Sequence, residues 1–99
     1  MDEDIVAVTT LDNTVEVWNI RTGDRIRSIG SPGSGPCEFN HPWGIAPIGV
    51  GVVAVADRWN KRLQIVDVNS GTFLQQAQLE YVPYCLSLMR DGKILVGRF

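Results

Sequence analysis

The chain has 99 residues, of which 44% are hydrophobic and 20% are charged, a balance typical of a globular protein rather than a disordered one. Its formal net charge of −2 argues against a generally basic nucleic-acid-binding surface, and we expect no DNA partner. The longest apolar stretch, residues 43–56, is interrupted by glycine and proline and is too short for a membrane-spanning helix, so we expect no membrane partner.

The cellular compartment is predicted from the start of the chain and from its cysteines. The acidic start Met1-Asp2-Glu3-Asp4 lacks the basic and then apolar plan of a secretory signal. Cys37 and Cys85 are therefore expected to be free thiols in a reducing compartment, although their number alone allows a disulfide. We predict a cytoplasmic location.

Apolar residues recur with a period of two or in short runs, which predicts β-strands and no helix of ten residues. A long loop rich in glycine and proline, residues 30–42, separates the third strand from the fourth. The other connections are mostly short, so neighbouring strands should be antiparallel. In chain order the strands are predicted near residues 5–8, 15–20, 26–29, 43–47, 50–56, 63–68, 73–79, 84–89 and 93–97.

Several of these strands are apolar on both faces, which is unusual for an antiparallel sheet. Ile5 and Ala7 point to one face, whereas Val6 and Val8 point to the other. Residues 52–56 are likewise apolar throughout. An antiparallel sheet with two apolar faces must lie between other sheets, as the blades of a β-propeller do.

An internal repeat supports this interpretation. Residues 5–23 align with residues 52–71 at an offset of 47 to 48 residues, and Pro83-Tyr84 matches Pro42-Trp43. The repeat predicts three strands of a first blade in residues 1–29 and a complete blade in residues 43–79, preceded by the loop 30–42. Residues 83–99 supply two strands of a third blade. The predicted fold is all-β, a partial β-propeller of about two four-stranded antiparallel up-and-down blades in an incomplete ring.

A glycine-rich stretch, Gly33-Ser34-Gly35-Pro36, is followed by Phe39, by Pro42-Trp43-Gly44-Ile45 and by Val55-Ala56-Asp57-Arg58-Trp59-Asn60-Lys61-Arg62. With these motifs residues 30–67 resemble an NHL repeat, and both flanks resemble degenerate copies of it. The Pro-Trp-Gly form is similar to repeats of animal tripartite-motif and RING-finger NHL proteins, and WD repeats match less well. Phe39 is expected to pack between blades, and Asp57, Asn60 and Arg62 to hold a turn by hydrogen bonds and an ion pair. The residues that carry the resemblance are Gly35, Phe39, Pro42, Trp43, Gly44, Asp57, Asn60 and Arg62.

One end of the blades gathers the candidate binding residues. In an up-and-down blade, the turn between the second and third strands lies at the same end as the connection to the next blade. Residues 11–13, 30–41, 58–61 and 80–82 should therefore share one face. Aromatic and cationic side chains together fit a protein-binding hot spot or a surface that stacks single-stranded RNA. The candidates on this face are His41, Arg58, Trp59, Lys61 and Tyr81.

No motif predicts catalysis. His41 is the single histidine and forms a Cys-x3-His spacing with Cys37, but no further ligands group with them to complete a zinc site. The glycine-rich loop lacks a phosphate-binding lysine and precedes a strand rather than a helix. We therefore expect no enzyme activity, no metal and no cofactor.

The predicted function is a non-catalytic scaffold that binds a protein partner. The resemblance implies substrate recruitment for a RING or tripartite-motif ubiquitin ligase, whose RING domain is absent from this chain. One alternative is a propeller face that binds single-stranded RNA in post-transcriptional regulation, and another is a fragment of a metal-dependent propeller lyase. Exposed blade edges predict self-association or dependence on further blades.

Overall fold

The computed structural model describes residues 4–98, so the acidic start at residues 1–3 and Phe99 lie outside the described residues. The chain is all-β with antiparallel main sheets, as predicted, and one short 3-10 helix, Arg58–Asn60, occurs in the described part. The strands are β1 (Ile5–Thr9), β2 (Val15–Asn19), β3 (Asp24–Ile29), β4 (Ser31–Pro32), β5 (Glu38–Phe39), β6 (Pro42–Gly49), β7 (Val52–Asp57), β8 (Arg62–Asp67), β9 (Thr72–Gln78), β10 (Pro83–Leu88) and β11 (Ile94–Arg98).

Three antiparallel sheets follow one another along the chain. The first has the order β1-β2-β3, the second β6-β7-β8-β9, and the third β10-β11. Every strand in them pairs with its sequence neighbour, because the connections between strands are short. The sheets form an open array rather than a closed ring, which fits a partial β-propeller.

The glycine-rich segment is more ordered than a plain loop. β4 and β5 form a two-residue parallel pair within it, with Ser31 opposite Glu38 and Pro32 opposite Phe39. The segment folds back on itself, and the Gly33 N–H donates to the Phe39 carbonyl at 3.1 Å. The structure thus adds a short strand pair to the loop predicted at residues 30–42. The sequence does not reveal this pair, because its residues show no apolar alternation. β6 also extends further than predicted, through register shifts that carry it to Gly49.

The main core lies between the first and second sheets. Phe39 is fully buried there and belongs to the same apolar cluster as residues from both sheets. Ala54 and Ala56 point to the opposite face of the second sheet, where β10 packs, and are also fully buried. The second sheet is therefore covered on both faces. The buried cluster comprises Val15, Val17, Ile29, Phe39, Val53, Val55, Val66 and Val68.

Candidate functional site

The connection between β7 and β8 is a tight turn held by its own side chains. Residues Arg58–Asn60 form one turn of 3-10 helix, and Lys61 closes it in the left-handed conformation with φ of 53°. The Asn60 side-chain amide donates to Asp57 Oδ2 at 2.9 Å and to the Gly33 carbonyl at 2.8 Å. The turn is thereby bonded both to the end of β7 and to the glycine-rich segment.

A buried ion pair ties that segment to the second sheet. Arg62 Nε donates to Asp57 Oδ2 at 2.8 Å, and the two side chains are 5% and 0% exposed. The rest of the guanidinium donates to the carbonyls of Ser34 at 2.9 Å, Gly35 at 2.8 Å and Glu38 at 2.7 Å. A buried charge pair is stable only when its remaining donors and acceptors are bonded, and here the loop carbonyls supply those bonds.

Gln64 completes this network, although the NHL resemblance does not mark it. Its Nε2 donates to the Glu38 carbonyl at 2.7 Å and to Asp57 Oδ2 at 3.1 Å. Its Oε1 accepts the Cys37 N–H at 3.0 Å, and Asp57 Oδ1 accepts the Asn40 N–H at 2.8 Å. One sequence signal points to Gln64: it lies two residues after Arg62 and therefore on the same face of β8 as that motif residue.

The network positions His41 at the end of the segment. The His41 backbone N–H donates to Asn13 Oδ1 at 2.8 Å. This bond joins the start of β6 in the second sheet to the β1–β2 turn of the first sheet. The imidazole stacks on Trp59 with ring centroids 4.1 Å apart and planes at 17°. The Trp59 backbone N–H in turn donates to the Asn40 carbonyl at 3.1 Å. His41 and Trp59 are both exposed, so this stack faces solvent.

A second aromatic stack contacts the turn through Arg58. Trp43 and Tyr84 stack with centroids 5.3 Å apart, and the Arg58 guanidinium carbon lies 5.3 Å from the Trp43 ring and 5.0 Å from the Tyr84 ring. A cation over two ring faces is attracted by both. Tyr84 was not among the predicted binding residues, yet the repeat that pairs Pro83-Tyr84 with Pro42-Trp43 places it at the same end of its strand. We call the surface formed by His41, Trp43, Arg58, Trp59 and Tyr84 the aromatic face.

A shallow groove adjoins the aromatic face between the first two sheets. Its volume is about 290 Å³, and it lies against the exposed Trp43 ring and Leu11, which is 92% exposed. The Thr9 hydroxyl donates to the Trp43 carbonyl at 2.8 Å, which fixes the two walls relative to each other. The groove could take an apolar side chain of a partner. Its lining residues are Thr9, Thr10, Leu11, Pro42 and Trp43.

The other two predicted binding residues lie in the connections that follow β7 and β9. Lys61 is exposed at the end of the turn, and its carbonyl accepts the Leu79 N–H at 2.7 Å. Tyr81 is half-buried in the connection between β9 and β10. Among the motif residues, Gly44 is required by close packing, since a Cβ there would lie 2.5 Å from the Tyr84 carbonyl oxygen.

Within residues 4–98, no group of three or more His, Cys, Asp or Glu side chains is placed to hold a metal ion. Cys37 and Cys85 are free thiols, and burial raises the pKa of Cys37 while the nearby Arg62 charge opposes that shift. No helix in the described part of the chain is long and apolar enough to cross a membrane.

Comparisons with known proteins agree with this fold and motif. The chain is 40% identical over 70 residues to NHL repeat-containing protein 3 of Mus musculus and 37% identical over 70 residues to its Homo sapiens counterpart. Each match covers 68% of this chain and 20% of the relative, so the chain spans about a fifth of these proteins. The WD40 β-propeller domain of Doa1 superposes with a TM-score of 0.76 at 18% identity, covering 99% of this chain and 31% of that one. No family model matches the chain.

Proposed function

The chain is a partial β-propeller of the NHL-repeat type, and we propose that it is a non-catalytic module that binds a protein partner through the aromatic face. The observation that supports this most is the pair of aromatic stacks around Arg58. Tryptophan, tyrosine and arginine are the side chains that dominate protein-binding hot spots. Here the stacks hold these side chains in place before binding, so less side-chain conformational entropy is lost when a partner binds.

The groove beside Trp43 gives this proposal a docking geometry. A partner segment that places an apolar side chain against Leu11 would lie next to the ring that Arg58 covers. The Arg58 guanidinium already lies over the Trp43 and Tyr84 faces, so a second cation would be repelled there. We therefore infer that the contacting part of the partner is apolar and neutral or acidic rather than basic.

Substitution of Arg58 and Trp59 by alanine should abolish partner binding. Each residue is expected to contribute about 2 kcal/mol or more, as hot-spot residues do, so the double variant should lose binding at least about a hundredfold. The measurement is mass spectrometry of proteins retained from a cytosolic extract by the immobilised chain. The matched control is Met89→Ala with Arg90→Ala, which removes an exposed apolar and cationic pair on the β10–β11 turn.

The retained proteins show whether the aromatic face or another surface binds the partner. Proteins that bind the wild type and the Met89/Arg90 control but not the Arg58/Trp59 variant support the aromatic face. If every retained protein binds all three forms equally, the aromatic face is not the binding surface.

Single-stranded RNA is the second candidate ligand, because exposed rings beside Lys61 and Arg58 could stack bases and contact phosphates. On this alternative, a labelled single-stranded RNA should bind in low salt, with affinity falling as salt rises. Arg58→Glu combined with Lys61→Glu should remove that binding. An absence of any RNA shift in low salt would rule the alternative out.

Two finer proposals concern the role and the location of the whole protein, and the first of them follows from the resemblance. Substrate recruitment for a ubiquitin ligase would require a catalytic RING domain outside these residues. A cytoplasmic location is in keeping with the two free thiols, which a reducing compartment preserves. We propose no lyase reaction, since no described side-chain cluster suggests one.

A further inference from the structure

The outer strand of the second sheet, β9, is an edge strand that carries no charged residue. β9 runs Thr72–Gln78 with the sequence TFLQQAQ, and most of its side chains are exposed. It pairs with β8 on one side only and ends the strand order of its sheet. An edge strand of this kind presents unpaired N–H and C=O groups and can accept another strand, unless charges or bulges prevent it.

The equivalent outer strand of the first sheet is protected. β3 contains Asp24, Arg25 and Arg27 among its six residues, and all three charges lie along an edge. Such charges discourage edge-to-edge pairing. β9 has one protective irregularity, a register shift between Ile65 and Val66 that leaves Leu74 unpaired. Beyond it, residues 75–78 pair regularly with β8 and carry no such protection.

The repeat also shows that the open edge of β9 differs from those of β1 and β11. By the internal alignment, β1 corresponds to β7 and β11 also corresponds to β7, which has a neighbour on both sides in the four-stranded sheet. A further blade strand would cover the open edges of β1 and β11. β9 is the fourth strand of its sheet, and no strand of the repeat lies beyond it. Its edge therefore stays open however many blades adjoin the chain.

The backbone groups that point outward from β9 can be identified. The Leu79 N–H donates to the Lys61 carbonyl at 2.7 Å, which makes that pair a hydrogen-bonded one. Such pairs alternate in antiparallel sheets, so Ala77 and Gln75 also bond to β8. The N–H and C=O groups of Gln76 and Gln78 consequently point away from β8.

We propose that β9 pairs with β9 of a second copy of this chain, antiparallel about a two-fold axis through Ala77. In this register Gln76 of one copy lies opposite Gln78 of the other, and their outward groups form four backbone hydrogen bonds. The two Ala77 Cα atoms then lie about 4.5 Å apart, as in a non-hydrogen-bonded pair, where their small side chains fit. No like charges face each other in this pairing. A similar pairing of two β3 strands would bring the arginines of β3 close together. The two four-stranded sheets become one continuous eight-stranded sheet.

A second copy is favoured over an unrelated strand because the edge is self-complementary. The same two outward residues serve as both halves of the contact, as an isologous interface requires. The interface is small, below about 1,200 Å² in total, so the dimer should be weak and concentration-dependent. The contact is independent of the aromatic face and can hold or fail separately from the proposed function.

Residue-resolved amide hydrogen exchange tests the proposal on the full chain. The Gln76 and Gln78 amides should exchange about tenfold or more slowly at about 500 μM than at about 5 μM, as edge amides become paired. Light scattering over the same range should show mass rising from 10.9 kDa toward twice that value. Association through the apolar faces of the end sheets would raise the mass while leaving these two amides unprotected, and that result would overturn the proposal.

Two lysine variants sharpen the test. Ala77→Lys places like charges opposite each other at the axis and should remove the concentration dependence of both readouts. Thr72→Lys adds the same charge at an exposed site of β9 outside the paired residues and should preserve it. Equal association of the two variants would contradict the proposed axis, and circular dichroism of each confirms that the sheet is retained.

Discussion

Replacing Arg62 by methionine should destabilise the folded chain by about 3–5 kcal/mol, because it leaves the Asp57 carboxylate buried without its cation. The same change removes the donors to the Ser34, Gly35 and Glu38 carbonyls. Each of those groups then loses a hydrogen bond in a part-buried site. Urea unfolding followed by tryptophan fluorescence at low protein concentration measures the loss.

The matched control is Arg25→Met, which breaks the Arg25–Glu16 ion pair on the surface of the first sheet. Arg25 is 54% exposed in that pair, so its loss should cost about 0–1 kcal/mol. Alkylation of Cys37 provides a second readout, since that thiol is half-buried in the segment that Arg62 holds. Arg62→Met removes the charge that lowers the Cys37 pKa, which by itself slows thiolate formation, but release of the segment should expose the thiol and give a net acceleration of Cys37 alkylation. Alkylation of the exposed Cys85 should not change. Equal costs for the two arginine variants would show that the buried network does not stabilise the fold.

Gly44→Ala should be the other severe substitution, because β6 and β10 approach each other at Gly44 with no room for a side chain. An added Cβ would lie 2.5 Å from the Tyr84 carbonyl oxygen and 2.8 Å from the Cys85 Cα. Both atoms belong to the backbone and cannot rotate away. Overpacking of this kind costs about 1–3 kcal/mol, and a backbone clash should lie at the upper end. The variant should also disturb the Trp43–Tyr84 stack.

Gly49→Ala in the same strand is the control for Gly44→Ala. A Cβ at Gly49 would lie 3.8 Å from the Val52 Cβ, which is ordinary van der Waals contact. Its effect on the unfolding free energy should stay within about 0.5 kcal/mol, as for other surface changes. A stability for Gly44→Ala equal to that of Gly49→Ala would mean that the second and third sheets do not pack as described.

The strands were predictable because a period of two and short turns leave few alternatives for residues such as Ile5–Thr9 and Val52–Asp57. The absence of a polar face predicted stacked sheets, and the structure places Val55 and Ala56 on two covered faces. The strand pair inside the glycine-rich segment was not predictable. It is held by long-range bonds from Arg62 and Gln64 rather than by a local pattern.

The candidate site, like the fold, could be predicted only where a local sequence pattern determines it. Residues close to the turn, Arg58 and Trp59, follow from the position of the turn in an up-and-down blade. Stacking of His41 on Trp59 depends on where the glycine-rich segment ends, which the bonds from Arg62 and Gln64 determine. Contact of Arg58 with Tyr84 depends on how the third sheet packs on the second. Such contacts join residues far apart in sequence, and spacing alone does not determine them.

The single histidine allows the most direct test of the link between the buried network and the aromatic face, because its imidazole signals in a proton NMR spectrum belong to one residue. Stacking of His41 on Trp59 at 4.1 Å should shift these signals upfield through the ring current. The shift should disappear in Trp59→Leu and in Arg62→Met, and it should remain in Arg25→Met. Imidazole signals at their unstacked positions in the wild type, or unchanged signals in both the Trp59 and Arg62 variants, would show that the buried network does not hold the glycine-rich segment in place for the aromatic face.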